Sequence, residues 1–185
     1  MVQNSTEAPS RIYSDFTRSH HHRGDFLKLL TRRLRKDHKR SNLFVAGSRY
    51  TLVDDGRLTT QVLYTLLEQT YGQQTTITLV KGCTQTQATV LCSDCLDEYI
   101  QKRLDVFCKA QPITLLEKSQ PTPLRTITAQ ECNVVAQLFG LKGRPPHETK
   151  GFIDELARRY DQTKTSLLQS FLFLEEACDT RILSD

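Results

Sequence analysis

Stripes of apolar residues at helical spacing alternate along this chain with short β-forming runs, and that alternation limits its fold more than any other feature. Phe26, Leu27, Leu30 and Leu34 mark the buried side of a helix from about Gly24 to Arg40. Leu43-Phe44-Val45-Ala46 follows, a continuous apolar run closed by Gly47, which suits a strand buried on both faces of a parallel sheet. Leu58, Val62 and Leu66 give a second helix ending at Tyr71-Gly72, and Thr75-Thr76-Ile77-Thr78-Leu79-Val80 is β-branched, as a second strand should be. Helix, strand, helix, strand is the rhythm of an α/β fold, so we expect a small, mainly parallel sheet flanked by helices in a single domain.

The middle of the chain continues the pattern. Ala88 to Leu91 reads as a third strand, paired with the second through a turn at Gly82, and Ser93 to Phe107 as a helix with Leu96, Ile100, Leu104 and Phe107 on one face. Pro112 to Leu116 reads as an edge strand, and Lys118 to Thr122 as a connector. Residues 1–22, polar and ending in His20-His21-His22, read as a disordered tail. The domain then spans 23–176, with a Cys-bearing insertion at about 81–119 and a short tail over 177–185.

The last third contains the sharpest local signals. Thr128 and Glu131 have the spacing of a capping box, and Cys132, Val135, Ala136, Leu138 and Phe139 fall on one stripe of the helix that they open. Gly140 ends it, and Gly143, Pro145 and Pro146 prevent its continuation. Phe152, Leu156 and Tyr160, then Leu167, Leu168, Phe171 and Leu174, predict two further helices broken near Asp161.

Charge is distributed unevenly. The chain of 185 residues has a formal charge of +4, yet Arg23 to Arg40 alone contains eight basic residues against Asp25 and Asp37. Lys28, Arg32, Arg35, Lys36 and Lys39 project away from the apolar stripe, as a solvated face or as one that neutralises phosphates. No apolar run approaches membrane-spanning length, and the N-terminus lacks the apolar stretch of a secretory signal, so a cytoplasmic protein with no membrane partner is expected.

Six cysteines in a reducing compartment are core residues, metal ligands or redox groups before they are disulfides. Cys92-Ser93-Asp94-Cys95 has the spacing of a zinc pair that Cys83 would extend, making zinc the one cofactor the sequence suggests. Cys108 would lie roughly 20 Å from Cys95 on an unbroken helix, too far to share a metal. A zinc-stabilised interaction module is therefore one reading and a thiol redox protein using the Cys-x-x-Cys pair is another, although Asp94 between the thiols opposes a lowered thiol pKa. Cys132 reads as structural. Neither His38 nor His147 has an orienting partner in sequence, and no catalytic residue is assigned.

Pro123-Leu124-Arg125, the capped helix closing on Gly140-Leu141, and Phe152-Ile153-Asp154-Glu155-Leu156 followed by Asp161 to Leu168 together resemble the C-terminal part of ATP-pyrophosphatase-type tRNA thiolation proteins. Within that superfamily the chain is most similar to the cytoplasmic tRNA 2-thiolation protein 2 family, over Gly24–Leu67 and Pro123–Leu174. The resemblance implies a partial Rossmann-like, adenine nucleotide alpha hydrolase-like fold and a non-catalytic subunit of a heterodimer acting in 2-thiolation of the wobble uridine of tRNA. Its implied partners are tRNA, a catalytic ATP-pyrophosphatase-type subunit and a ubiquitin-related sulfur carrier. Arg125 would join Lys28, Arg32, Arg35, Lys36, Lys39 and Arg40 in binding RNA.

Catalytic members have Gly-His-x-x-Asp-Asp after the equivalent strand; here Gly47 to Asp55 lacks the histidine, and Asp54-Asp55-Gly56 reads as a turn. Neither a Ser-Gly-Gly-x-Asp-Ser loop nor a Walker pattern is present, and no two of the eight glycines are adjacent. By the resemblance, then, the first half of the family fold and its adenylation site are expected to be missing, as in a short isoform, a divergent subunit or a fragment.

Overall fold

The computed structural model describes residues 11–82, 88–109, 120–146, 152–160 and 162–182. The chain opens with a hairpin, β1 (Ile12–Ser14) and β2 (Ser19–His21), followed by α1 (Arg23–Arg40). Strand β3 (Arg49–Asp54), helix α2 (Leu58–Tyr71) and strand β4 (Thr76–Lys81) then form a βαβ unit. β5 (Thr89–Leu91), α3 (Leu96–Cys108), α4 (Ala129–Phe139), α5 (Phe152–Arg159) and α6 (Thr163–Ile182) complete the order.

β3 is the central strand of a three-stranded sheet, β4-β3-β5, and both of its pairings are parallel. Tyr50 pairs with Ile77 and Leu52 with both Leu79 and Leu91. Tyr50, Leu52 and Ile77 enter the main core with Leu63, Leu66 and Leu67 of α2, Phe26, Leu30 and Leu34 of α1, and Cys132, Val135 and Ala136 of α4. A second cluster, Leu96, Tyr99 and Ile100 with Leu168, Phe171 and Leu172, packs α3 on α6. The expected α/β architecture, a small parallel sheet flanked by helices, is present.

Three local expectations are corrected. Leu43 to Ala46 is not a strand: Asn42 and Phe44 have φ of +50° and +65°, Gly47 has +79°, and the sheet begins only at Arg49. Phe44 is buried by its ring contacts instead, 4.7 Å from His38, 4.7 Å from Tyr50 and stacked 4.8 Å from Tyr71. Within the run only Phe44 is buried, by aromatic packing, whereas Val45 and Ala46 are exposed and the more polar Arg49 to Asp54, with Tyr, Thr and Val, took the central strand. Second, β5 does not fold back on β4 but joins the other edge of β3, where Leu91 reaches the core.

Third, residues 12–21 of the supposed N-terminal tail form the hairpin, in which Ile12 and Ser14 point inward and Tyr13 outward. Ile12 packs into the main core, and the Ser14 hydroxyl donates to Glu131 at 2.6 Å. Residues 1–10 of that tail, the proposed edge strand at Pro112 to Leu116, and His147 lie outside the described residues. At the other end α6 continues to Ile182, through much of the segment read as a tail.

The helix ends follow their caps. The Thr128 hydroxyl accepts from the Glu131 amide, the Glu131 carboxylate accepts from the Thr128 amide, and Gly140 closes α4 at φ +64°. Gly143 has a packing role that its sequence context did not suggest: a Cβ there would lie 2.8 Å from the Leu58 amide nitrogen, where the strand-like segment at Arg144 lies against the start of α2.

Candidate functional site

The basic helix has two distinct sides. Inward, Arg33 donates to both oxygens of the fully buried Glu131, at 2.8 and 2.6 Å, and also to the Thr126 carbonyl. Four residues on, Asp37 accepts from Arg125 at 2.9 and 3.1 Å. His38 lies beside it, its Nδ1 3.1 Å from the Tyr71 hydroxyl and its Nε2 3.3 Å from the Pro123 carbonyl. The carbonyl can only accept, so Nε2 bears the proton and Nδ1 accepts from Tyr71. Burial, opposed only in part by the Pro123 contact, lowers the His38 pKa to about 4, so the ring is neutral.

Outward, Lys28, Arg32, Arg35, Lys36, Lys39 and Arg40 are all exposed. Lys28 lies 3.7 Å from the exposed Asp25, and Arg40 reaches Gln169 at 3.5 Å. Arg32, Arg35, Lys36 and Lys39 pair with no carboxylate among the described residues. Their spacing of three, four and seven residues gives one cationic stripe about 10 Å long. Six of the seven residues expected to meet RNA thus share a surface, whereas Arg125, the seventh, is half-buried and turned to Asp37.

A second polar cluster lies at the carboxyl end of the sheet, where open α/β sheets usually bind their ligands. Asp54 accepts from the Gly56 amide at 3.1 Å, and Asp55 from the Arg57 amide at 3.1 Å and the Thr60 hydroxyl at 2.9 Å. Asp54-Asp55-Gly56 is therefore a turn, with Gly56 at φ +73°. The Arg57 guanidinium crosses the cluster to Asp55, to Ser93 at 2.9 Å and to Asp94 at 2.8 Å, and Lys102 also binds Asp94. Burial alone would raise the Asp94 carboxyl, but hydrogen bonds from Lys102 and Arg57 prevail and hold it below the usual carboxylate range. Arg57 and Asp55, joined by their ion pair, line a cavity of about 230 Å³ with Ser93 and Cys92.

The two thiols of the Cys-x-x-Cys pair part company. Cys95 is fully buried in the main core against Cys132, and the hydrogen bond between these thiols, with burial, pushes the Cys132 pKa well up. Cys92 is half-buried beside Asp94; burial first, then that carboxylate, raises its pKa as well. The Cys92 shift disfavours the thiolate that redox chemistry and metal binding require, and Cys95 is sealed in the core. Cys83 lies outside the described residues, and among those described no three His, Cys, Asp or Glu side chains converge to hold a metal.

Sequence reasoning missed a further constellation. Asp15 in the β1–β2 turn accepts from the Thr128 hydroxyl at 2.5 Å, and Asp97 at the start of α3 accepts from the Ala129 amide at 2.7 Å and binds Lys164 of α6. Burial raises the Asp15 pKa, the Thr128 bond opposes the rise, and Glu131 and Asp97 add to it. These residues come from four distant segments, and only the Thr128–Glu131 pair left a local signal.

No family model matches the chain, and no curated protein matches it by sequence. Among solved structures it is similar to the U34-tRNA thiolase NcsA from Methanococcus maripaludis, determined with its 4Fe-4S cluster: TM-score 0.72 at 14% identity, over 95% of this chain and 89% of that one. The correspondence runs through most of the NcsA chain, not through half of it as the sequence resemblance implied. No helix among the described residues is long and apolar enough to cross a membrane. The chain therefore has an α/β fold, a parallel three-stranded sheet flanked by helices, like that of this tRNA thiolase.

Proposed function

We propose that this protein is a non-catalytic subunit in 2-thiolation of the wobble uridine of tRNA. The observation that carries the reading is the one-sided cationic face of α1, displayed on a fold like that of a U34-tRNA thiolase. Lys28, Arg32, Arg35, Lys36, Lys39 and Arg40 neutralise tRNA phosphates, and Arg125 assists by fixing α1 through Asp37.

The non-catalytic part of the reading is supported by what occupies the sheet's carboxyl end. A nucleotide site there needs a cradle of backbone amides, and this chain has instead an arginine bound to two aspartates and a serine. The cluster named with NcsA also finds no matching arrangement among the described cysteines, because Cys95 and Cys132 face each other in the core while Cys108 is exposed at the end of α3. Adenylation and sulfur transfer then fall to an ATP-pyrophosphatase-type partner supplied by a ubiquitin-related sulfur carrier. The end of α5 and the outer side of α6, with Tyr160 just after α5 and Phe173 on α6 64% and 69% exposed, form the surface for that partner in a heterodimer working in the cytoplasm.

Removing the gene is expected to abolish wobble-uridine 2-thiolation, and the tagged protein to recover the catalytic subunit from the same cells. Unchanged thiolation with no thiolation partner recovered would refute the reading. On the purified chain, Arg32→Glu, Arg35→Glu and Lys39→Glu should each weaken tRNA binding about equally across tRNAs and reduce the slope of log affinity against log salt by roughly one.

A further inference from the structure

A cavity of about 470 Å³ opens where the β1–β2 turn meets the N-terminal ends of α3, α4 and α6. Tyr13 and Phe16 supply aromatic walls, while Asp15, Arg18, Asp97, Gln130, Gln162 and Lys164 line its polar side. The cavity adjoins the basic helix, since the Arg33 guanidinium lies 3.8 Å from the centre of the Phe16 ring. Arg33 is flanked in sequence by Arg32 and followed by Arg35 and Lys36, all facing solvent. On the helix surface Lys36 is the i+3 neighbour of Arg33, so the outward cationic side of α1 and the Phe16 wall of the cavity meet at Arg33.

The lining has hydrogen-bonding capacity to spare. One Asp15 oxygen accepts from Thr128, and the other accepts nothing among the described residues. The amides of Gln130 and Gln162 are exposed and likewise have no protein partner there. The carboxylates of Asp15 and Asp97 on the lining are balanced by Arg18 and Lys164, so neither an anion nor a simple cation is favoured. A neutral, planar group with hydrogen-bond donors on its edge suits both the aromatic walls and the open carboxylate oxygen, and that is how proteins read bases splayed out of single-stranded RNA.

We propose that this cavity receives one unstacked nucleobase bearing an exocyclic amino group, from an RNA whose backbone lies along α1; the inference rests on the RNA-binding reading above. The amino group donates to the free oxygen of Asp15, the ring lies against Tyr13, and the two glutamine amides meet the remaining edge. Uracil is disfavoured, because it has no amino group and its carbonyl oxygens would face the carboxylate.

The test measures binding of the full chain to ten-residue oligoadenylate, oligocytidylate and oligouridylate by fluorescence anisotropy. The first two are expected to bind roughly tenfold more tightly than the third. Asp15→Asn keeps an acceptor for Thr128 but turns an amide donor into the cavity, and should cancel or invert that preference. Tyr13→Ala, at a half-exposed position, should weaken oligoadenylate more than oligouridylate, which gives a second readout should the Asp15 variant fail to fold. Arg32→Glu with Lys36→Glu should lower all three affinities alike. Equal, salt-dependent binding of the three, or a preference that survives Asp15→Asn, overturns the base site and leaves the phosphate face standing. No binding to any RNA overturns both.

Discussion

Glu131 has no contact with solvent, and four groups reach its carboxylate: the Ser14 hydroxyl, two nitrogens of Arg33 and the Thr128 amide. Removing one partner of a buried ion pair leaves the other uncompensated, so Glu131→Ala should cost about 3–5 kcal/mol in urea denaturation. Replacing an ordinary capping-box glutamate would cost only about 1 kcal/mol, which makes the two roles separable. The cap was legible because Thr128 and Glu131 are three residues apart. The ion pair was not, because Arg33 and Ser14 lie 98 and 117 positions away. His38 gives a second residue-scale prediction. Its folded pKa, about 4, is below the ordinary 6.5, so the folded state binds fewer protons than the unfolded chain in that window. The stability this neutral ring contributes is complete above pH 6.5 and is lost as pH falls toward 4, by about 3 kcal/mol. His38→Gln should flatten that part of the profile; a wild-type denaturation midpoint unchanged between pH 7 and 4.5 would refute the assignment.

Among the elements, the span and the two sides of α1 were readable because one periodicity encodes both: leucines and a phenylalanine inward, cations outward. What the period could not distinguish is which arginine turns in, and the structure selects Arg33, whose partner lies on α4. The strands were harder to place. A run such as Leu43 to Ala46 shows only that its residues want burial, and Phe44 satisfies that need among three rings without joining a ladder. Phe44→Ala should therefore cost about 3–5 kcal/mol, as for a core aromatic, while leaving the sheet signal in circular dichroism intact. Loss of that signal would return the residue to strand status. The pairing of β5 with β3 is equally non-local, and local sequence favoured the shorter connection through Gly82. The cationic stripe was legible from spacing, whereas the cavity beside it, assembled from four segments, was not.

For the whole molecule, the hairpin is the part whose removal tells most. It carries Ile12 into the main core and Ser14 onto Glu131, so deleting residues 1–21 should lower stability by at least about 2 kcal/mol, measured by chemical denaturation. A disordered tail would leave stability unchanged. The ties on the inner side of α1 have a mechanical consequence as well. Arg33 is fastened to α4, and Asp37 to the turn before it, one helical turn apart on the same side of the cylinder. With two such fastenings the helix cannot roll about its own axis. The bearings of Arg32, Arg35, Lys36 and Lys39 are therefore set by the body of the protein rather than by the flexibility of their own helix. A partner docking there encounters a ruler already aligned, and little orientational freedom is left to be lost on contact.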